Sequence, residues 1–387
     1  MKARRYQLRK ESVQVVASGH PWIFRGQLSS AAAVFGDGQW LQLVDGGNQV
    51  VGHGMFEAQG AVAIRVLERG GRVPDAAWVA ERVDAALARR AGLRADTDAF
   101  RAVHGENDGL PAVVVDVYRD TAVLATYATG ADALGRLVAA RVCRQLGLVR
   151  SLWKPAHRRA AGGPSALRAL FGDLPPDPIE IREGPLSFRV DLAGQKSGAY
   201  LDLRGLRRWI LAQELTGARM LNLFSYTGTL GLAARRAGAA EVWNVDSSRR
   251  ALEVAARFHG GGAHDQVADV FEWLPRLRRG ETFDLVVADP PPMTSRVAQV
   301  EGALAAYRRL YRAAAPHVAP GGRIVACCCT SRIDARSFQR AVVTGLGKGF
   351  RFERRIPPEV DHPVGFPEAD YLKVLVFSAP GRAISLD

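Results

Sequence analysis

The sequence predicts a multidomain α/β protein whose second half is an open, doubly wound sheet. Three observations lead there. Strands and helices alternate after about residue 186, and the first 70 or so residues carry short strands broken by Gly- and Asp-rich turns. A chain of 387 residues, 48% hydrophobic and 24% charged, is also long enough for two or three domains with buried cores. No apolar run reaches the roughly 18–20 residues a membrane span needs, and the basic start Met1–Lys10 has no apolar stretch behind it. Neither a secretory signal nor a transmembrane helix is expected.

In the first segment, residues 1–72, the clearest strands are Trp40–Val44 and Val62–Leu67, which point to a small barrel-like β module. A second segment, 73–185, opens with helical spacing at Ala76, Val79, Val83 and Leu87. Ala112–Val117 and Ala122–Ala125 then read as a hairpin, and a helix is expected over Leu134–Leu146, so this segment is a small α+β domain. The Ala-, Gly-, Pro- and Arg-rich stretch Pro155–Pro178 is the best candidate for a linker.

The third segment, 186–387, carries strands at Met220–Phe224, Val242–Asp246, Asp284–Ala288 and Arg323–Cys328. A last strand, Tyr371–Phe377, is expected to follow its predecessor without an intervening helix and so to run antiparallel. That ending points to the methyltransferase variant of the doubly wound fold more than to a dinucleotide dehydrogenase.

The formal net charge is +13. A cationic excess favours encounter with polyanions such as nucleic acid, although an Arg-rich composition also supplies ordinary solvated surface. Arg4, Arg5 and Arg25 are weak individual candidates for RNA contacts. Four cysteines, three of them consecutive, do not make a disulfide framework and read as reduced, cytosolic thiols. No zinc-ligand spacing is present, so no metal is expected.

Three clusters can carry chemistry. The first is the strand–turn–helix around Phe224-Ser225-Tyr226-Thr227-Gly228, where ligands of open α/β sheets bind and where Gly228 lets backbone approach a ligand. No GxGxxG pattern is present, which suits a nucleoside without a pyrophosphate. Asp246 ends the next strand 18 residues after Gly228, followed by Ser247. It is placed to accept both ribose hydroxyl hydrogen bonds, or else to cap the helix starting near Ser248. Asp269 is a candidate adenine contact or a plain loop residue.

The second cluster, Asp289-Pro290-Pro291-Pro292-Met293, fixes a carboxylate rigidly at the ligand edge of the sheet. Amino methyltransferases usually place an aromatic after the two prolines, and Pro292-Met293 stands there instead. The third cluster is Cys327-Cys328-Cys329. Alternation puts Cys327 and Cys329 on one face and Cys328 on the other. Cys327 and Cys328 read as small core residues, whereas Cys329, where strand becomes loop, is the candidate nucleophile.

Together these clusters resemble the bacterial 23S rRNA 5-methylcytosine methyltransferases of the large-subunit methyltransferase I type. His20-Pro21-Trp22-Ile23-Phe24 resembles the opening of that family's RNA-binding PUA domain, and Gly105–Pro111 its central-domain signature. The stretch from Gly194 to Arg204, which includes Lys196, Asp202, Leu203 and Arg204, resembles the segment leading into its catalytic domain. Asp361-His362-Pro363-Val364 and Tyr371-Leu372-Lys373 also match. The chain departs from the family at Pro292 and Met293, where Lys and Phe are common. It departs again at Leu203 for a usual Gln, and at Cys328 and Thr330, which replace serines beside the nucleophile.

The resemblance implies a PUA-like barrel (1–72), a central α+β domain (73–185) and a class I methyltransferase domain (186–387). It implies S-adenosylmethionine as methyl donor and carbon 5 of a cytosine in 23S rRNA as acceptor. Cys329 would add to carbon 6 and Asp289 would hydrogen-bond the base near ring nitrogen 3. Phe224, Ser225, Tyr226, Gly228, Asp246, Ser247, Asp269, Asp289, Asp202 and Arg204 would surround the donor. Lys196, Pro290, Pro291, His20 and Trp22 would meet RNA. A homodimer is among the states the sequence allows. Two other functions stay open: methylation of another RNA base or atom, and an RNA-binding assembly protein that has lost catalysis.

Overall fold

The computed structural model describes residues 3–157, 167–175, 178–192, 199–294 and 296–381. The chain forms two compact units. The first comprises Met1–Gly184, Val190–Leu201 and Val360–Phe366, and the second Pro185–Arg189, Asp202–Glu359 and Pro367–Asp387.

The first unit holds two five-stranded sheets. One contains β1 (Arg4–Gln7), β2 (Trp22–Phe24), β3 (Trp40–Val44), β4 (Val50–Phe56) and β5 (Val62–Arg69), in the order β1-β3-β4-β5-β2. Leu41 and Leu43 of β3 share one face and pack with Tyr6, Ile64 and Val66, while α1 (Lys10–Ala17) adds Val16. Strand β4 escapes sequence reading because Gly52, His53 and Gly54 interrupt its apolar run. Its Gly54 is required, since a Cβ there would lie 2.5 Å from the Ile64 side chain.

The other sheet joins β6 (Ala99–His104), β7 (Val113–Tyr118), β8 (Thr121–Thr126), β9 (Arg150–Pro155) and β10 (Arg168–Phe171), in the order β10-β9-β8-β7-β6. The expected hairpin is β7–β8, antiparallel, with Val117 opposite Ala122. Helices α2 (Ala76–Arg89) and α3 (Ala131–Leu146) supply Trp78, Val83, Leu134 and Val138 to its core. The stretch expected to be a linker contains strand β10, whose exposed edge position demands little hydrophobicity; residues 158–166 and 176–177 lie outside the described residues.

One turn, Gly105–Asp108, ties this unit together. Glu106 accepts a 2.9 Å hydrogen bond from the Trp22 indole N–H and pairs with Arg65. Asn107 Oδ1 accepts the Gly365 N–H at 2.7 Å. Asp108 accepts from the Arg90 guanidinium at 2.7 Å and the His104 N–H at 2.6 Å. Asp361 completes the cluster by accepting the Arg101 N–H at 3.0 Å. The motif segments Gly105–Pro111 and Asp361–Val364 are therefore linked through Arg90, which donates to Asp108 and, at 3.3 Å, to the Asp361 carbonyl.

The second unit is built on a seven-stranded sheet. Strand β11 (Ile179–Glu183) still belongs to the first unit; after β12 (Leu186–Val190) come α4 (Arg204–Leu211), β13 (Arg219–Leu223), α5 (Thr229–Arg236), β14 (Glu241–Asp246) and α6 (Arg249–Phe258). Then follow β15 (Gln266–Val267), α7 (Val270–Trp273), β16 (Phe283–Ala288), α8 (Val300–Ala314), β17 (Val318–Cys329), α9 (Ala335–Leu346), β18 (Arg351–Ile356) and β19 (Leu372–Ser378). The sheet order is β15-β14-β13-β16-β17-β19-β18, parallel from β15 to β17.

The last strand is antiparallel, as expected, but by a different route. Helix α9 and strand β18 lie between β17 and β19, and β19 inserts between those two strands, antiparallel to both. β18 was missed because its residues, Arg-Phe-Glu-Arg-Arg-Ile, form an exposed edge without a hydrophobic signature. Leu223, Val245, Ala288, Ala326 and Cys328 share one face of the sheet, packed with Tyr307, Tyr311 and Phe338 of α8 and α9.

Candidate active site

Strand order reverses direction at β13 and β16, the point in such sheets where ligands bind beyond the carboxyl ends. Leu223 is level with Val245 on one side and Ala288 on the other, and Ala288 is level with Ala326. The next residue on each strand is Phe224, Asp246, Asp289 and Cys327, so these four stand in one row across the sheet's ligand edge. Cys329 lies two residues further along β17, about 6–7 Å beyond the row.

The turn after β13 is unusual. Phe224 and Tyr226 adopt left-handed backbone (φ +58° and +48°), as does Gly228 (φ +75°). For aromatic residues this costs about 1–3 kcal/mol each, a strain found mainly at ligand-binding turns. The turn is held in place by specific bonds. Tyr226 N–H donates to Asp246 Oδ2 at 2.8 Å and Ser225 N–H to the Val245 carbonyl at 3.1 Å. His259, buried, accepts the Arg189 N–H through Nε2 at 2.9 Å, which leaves Nδ1–H to donate to the Thr227 carbonyl at 2.6 Å. Burial holds the His259 ring below its usual pKa and so keeps it neutral.

The other Asp246 oxygen accepts the Ser248 N–H at 2.8 Å. Ser248 itself caps α6, its hydroxyl accepting from Ala251 N–H, so the cap is Ser248 and Asp246 is freed from that task. Ser247 stands between them. Asp269 caps α7, accepting the Phe271 N–H at 2.7 Å, and Phe271 meets Phe224 edge to face at 5.9 Å. Asp202 accepts a 2.8 Å hydrogen bond from the Tyr371 hydroxyl. Arg204, the first residue of α4, is buried against Glu359 at 3.4 Å. Lys196 lies outside the described residues.

Asp289 follows β16, its N–H donating to the Leu223 carbonyl at 3.3 Å; Pro290 is buried and Pro291 exposed. The three adjacent thiols differ sharply. Burial drives Cys327 well above the usual thiol range, reinforced by the Asp289 carboxylate, Cys329, Cys328 and Asp202. Burial likewise raises Cys328, whose side chain faces Tyr307 on the opposite side of the sheet, and pushes the distant Cys143 up to about 11. Of the four cysteines only Cys329 is partly exposed. Its Sγ donates to the Pro290 carbonyl at 3.5 Å, which ties the thiol to the loop carrying Asp289.

Sequence reasoning missed Lys373. Its side chain is 1% exposed, and its Nζ donates to the carbonyls of Thr330 (2.7 Å) and Asp370 (2.5 Å). It missed Tyr371 and His259 as well. The motif Tyr371-Leu372-Lys373 was the available signal, since a lysine inside an apolar strand calls for a buried partner. In the first unit, Trp22 and His20 lie in an aromatic group with Phe366, and the Trp22 ring carries Arg65. Arg4, Arg5 and Arg25 donate to the carbonyls of Val34, Asn48 and Glu57 respectively.

The site suits an adenosyl cofactor. A carboxylate aligned by two backbone N–H groups ends β14, and the hydroxyl of Ser225, a residue 7% exposed, has no hydrogen-bond partner among the described residues. A buried hydroxyl left so is satisfied when a polar ligand arrives. A family profile described as S-adenosylmethionine-dependent methyltransferase matches residues 156–377, and one described as PUA-like domain matches residues 7–69. The chain belongs to the S-adenosylmethionine-dependent methyltransferases, and S-adenosylmethionine is its methyl donor.

Methyltransferases of similar sequence include the ribosomal RNA large subunit methyltransferase of Deinococcus radiodurans. It is 34% identical over 382 residues, covering 93% of each chain. Ribosomal RNA large subunit methyltransferase I of Shewanella amazonensis is 31% identical over 376 residues, covering 92% of this chain and 94% of its own. A SAM-dependent methyltransferase from Streptococcus mutans shares the fold, with a TM-score of 0.84 at 19% identity over 97% of this chain and 100% of that one. A methyltransferase structure complexed with SAH gives the same TM-score, identity and coverage. Among the described residues, no group of three or more His, Cys, Asp or Glu side chains is arranged to hold a metal, and no helix is long and apolar enough to cross a membrane.

Proposed function

We propose that this methyltransferase forms 5-methylcytosine in large-subunit (23S) ribosomal RNA through a covalent bond between Cys329 and the base. The observation that carries the reading is the position of Cys329. It is the one partly exposed thiol, on the same face as Cys327, bonded to the loop that begins at Asp289. The names of the relatives support ribosomal RNA as substrate, and the PUA-like match supports an RNA-binding role for the first 72 residues.

S-adenosylmethionine would supply an electrophilic methyl group, its adenosyl part held by Asp246 and by the turn from Phe224 to Gly228, with Ser247, Asp269, Asp202 and Arg204 around the donor. The target cytosine leaves its stack at a cost of roughly a few kcal/mol. The Cys329 thiolate forms a bond to carbon 6, and the carbon 5–carbon 6 π pair moves to carbon 5, which becomes nucleophilic. Asp289 hydrogen-bonds the ring near nitrogen 3 and stabilises the charge developing there. Carbon 5 would take the methyl group as the methyl–sulfur bond of the donor breaks and S-adenosylhomocysteine leaves; a base then takes the carbon 5 proton, which re-forms the double bond and expels the Cys329 thiolate. Pro290 and Pro291 keep the Asp289 loop rigid beside the base; His20 and Trp22 in the first unit, and Lys196 outside the described residues, are further proposed RNA contacts.

The test uses large-subunit RNA fragments bearing 5-fluorocytidine. Fluorine cannot leave as a proton does, so the enzyme should remain attached to RNA as a denaturant-stable adduct that forms only with S-adenosylmethionine present. Nucleoside mass spectrometry of 23S rRNA should show one 5-methylcytosine lost on deletion. Absence of the adduct together with unchanged 5-methylcytosine would overturn the proposal.

A further inference from the structure

Cys329 is the last residue of β17 and closes its register with β19, opposite Leu372. A side chain at a strand end is free to wander unless something holds the loop that follows. Thr330 provides that hold in two directions. Its hydroxyl donates to the Thr294 carbonyl at 3.2 Å and accepts the Arg332 N–H at 3.2 Å, which fixes its rotamer. Its own carbonyl accepts the buried Lys373 ammonium at 2.7 Å. Thr294 closes the Asp289-to-Met293 loop, where its hydroxyl donates to the Arg296 carbonyl at 2.8 Å. Thr330 is 6% exposed and Lys373 1%, so solvent does not substitute for these bonds.

We propose that Thr330, held by Lys373, is the positioning residue that sets the spacing between the Cys329 thiol and the Asp289 carboxylate. Two bonds join the loops, Cys329 Sγ to the Pro290 carbonyl and Thr330 Oγ1 to the Thr294 carbonyl. The Sγ contact is long and must break when the thiol attacks a base. The Thr330 bond persists through that event and keeps the loops in register. The hydroxyl, rather than the side chain's size, does this work, because it makes the hydrogen bond to Thr294. Lys373 anchors the same residue from β19, where it is paired with Cys328. A displacement of about 1 Å at a reacting atom lowers rates by about 100-fold, so a bond of this kind is decisive for rate while leaving donor binding untouched.

The inference rests on Cys329 acting as nucleophile, and the experiment separates the two. Wild type, Thr330→Val, Thr330→Ser and Lys373→Met are each incubated with S-adenosylmethionine and 5-fluorocytidine RNA, and the rate of adduct formation is measured at saturating concentrations. S-adenosylmethionine affinity and melting temperature are recorded alongside. Thr330→Val should form the adduct about 10- to 100-fold more slowly with donor affinity unchanged, and Thr330→Ser should restore the rate to within about threefold of wild type. Lys373→Met, which removes the carbonyl's partner and leaves the hydroxyl in place, should also slow the adduct. A wild type that forms no adduct overturns the covalent reading and this inference with it. A wild type that forms the adduct, matched by Thr330→Val or by a folded Lys373→Met, overturns the positioning role alone.

Discussion

Arg90 and Asp108 form an ion pair at 2.7 Å in which neither side chain is exposed to solvent. Arg90 also donates to the carbonyls of Ala86 (2.8 Å), Arg101 (2.6 Å) and Asp361 (3.3 Å), and Asp108 accepts the His104 N–H. Such a pair stabilises little relative to a hydrophobic alternative, yet removing one partner strands the other in a dry interior. Asp108→Ala should therefore lower the unfolding free energy by about 3–5 kcal/mol. A shift of that size in the urea midpoint checks it; a change below about 1 kcal/mol would contradict the reading.

Cys329→Ala removes the proposed nucleophile and leaves the turn from Phe224 to Gly228 intact. Methyl incorporation into RNA should fall by about a thousandfold or more, with S-adenosylmethionine affinity within about twofold of wild type. Labelled-methyl transfer and calorimetric titration of the donor measure the two quantities separately. Cys327→Ala and Cys328→Ala, which alter buried thiols, should retain methyl transfer in the protein that folds.

Asp246→Asn keeps the shape of the side chain and removes its charge. The carboxylate accepts from Tyr226 and Ser248 N–H groups and has lone pairs left for a ribose. A hydrogen bond to a charged group contributes about 1.5–3 kcal/mol, so donor affinity should weaken by about 10- to 100-fold. Binding of S-adenosylhomocysteine, which requires no RNA, provides the measurement.

Acid should weaken the protein through its buried histidines. Burial lowers the pKa of His53, His104 and His259 below the ordinary value of 6.5. For such a group the unfolded chain takes up the proton first. Stability is therefore full above pH 6.5 and is lost as pH falls from there toward the depressed folded value, by at most about 1.4 kcal/mol per pH unit per histidine. In His259 the added proton would face the Arg189 N–H and disturb the donor turn at Thr227. His259→Gln should flatten the dependence of melting temperature on pH between 7 and 5, and a slope equal to wild type would refute the assignment.

The sheet of the second unit was legible because its central strands are buried on both faces and read as unbroken apolar runs, as in Leu285–Ala288 and Ile324–Cys328. Edge strands were not. β18 exposes arginines, and β10 lies in a stretch whose Pro and Gly content signals a loop. The candidate acids and thiol were visible because chemistry at strand ends leaves polar residues after apolar ones. Their supports were hidden for a different reason. Lys373, Tyr371 and Thr330 each have a partner 36 to 169 residues away, and pairings that distant follow from the fold and not from local pattern. Phe224 and Tyr226 concealed their left-handed backbone because aromatic side chains argue against it.

Residues Val360–Phe366 pack into the first unit, although β18 precedes them and β19 follows them in the second. No single cut through the polypeptide therefore yields two self-sufficient fragments. An amino-terminal piece ending near residue 185 would lack Asp361, the acceptor for Arg101, and the Gly365 amide that Asn107 receives. A carboxyl-terminal piece would carry the same seven residues with nothing to receive them, on the very connection that delivers β19 to the middle of its sheet. Attempts to study donor binding on an excised catalytic half should give a poorly folding product, whereas the whole polypeptide retains every one of these attachments.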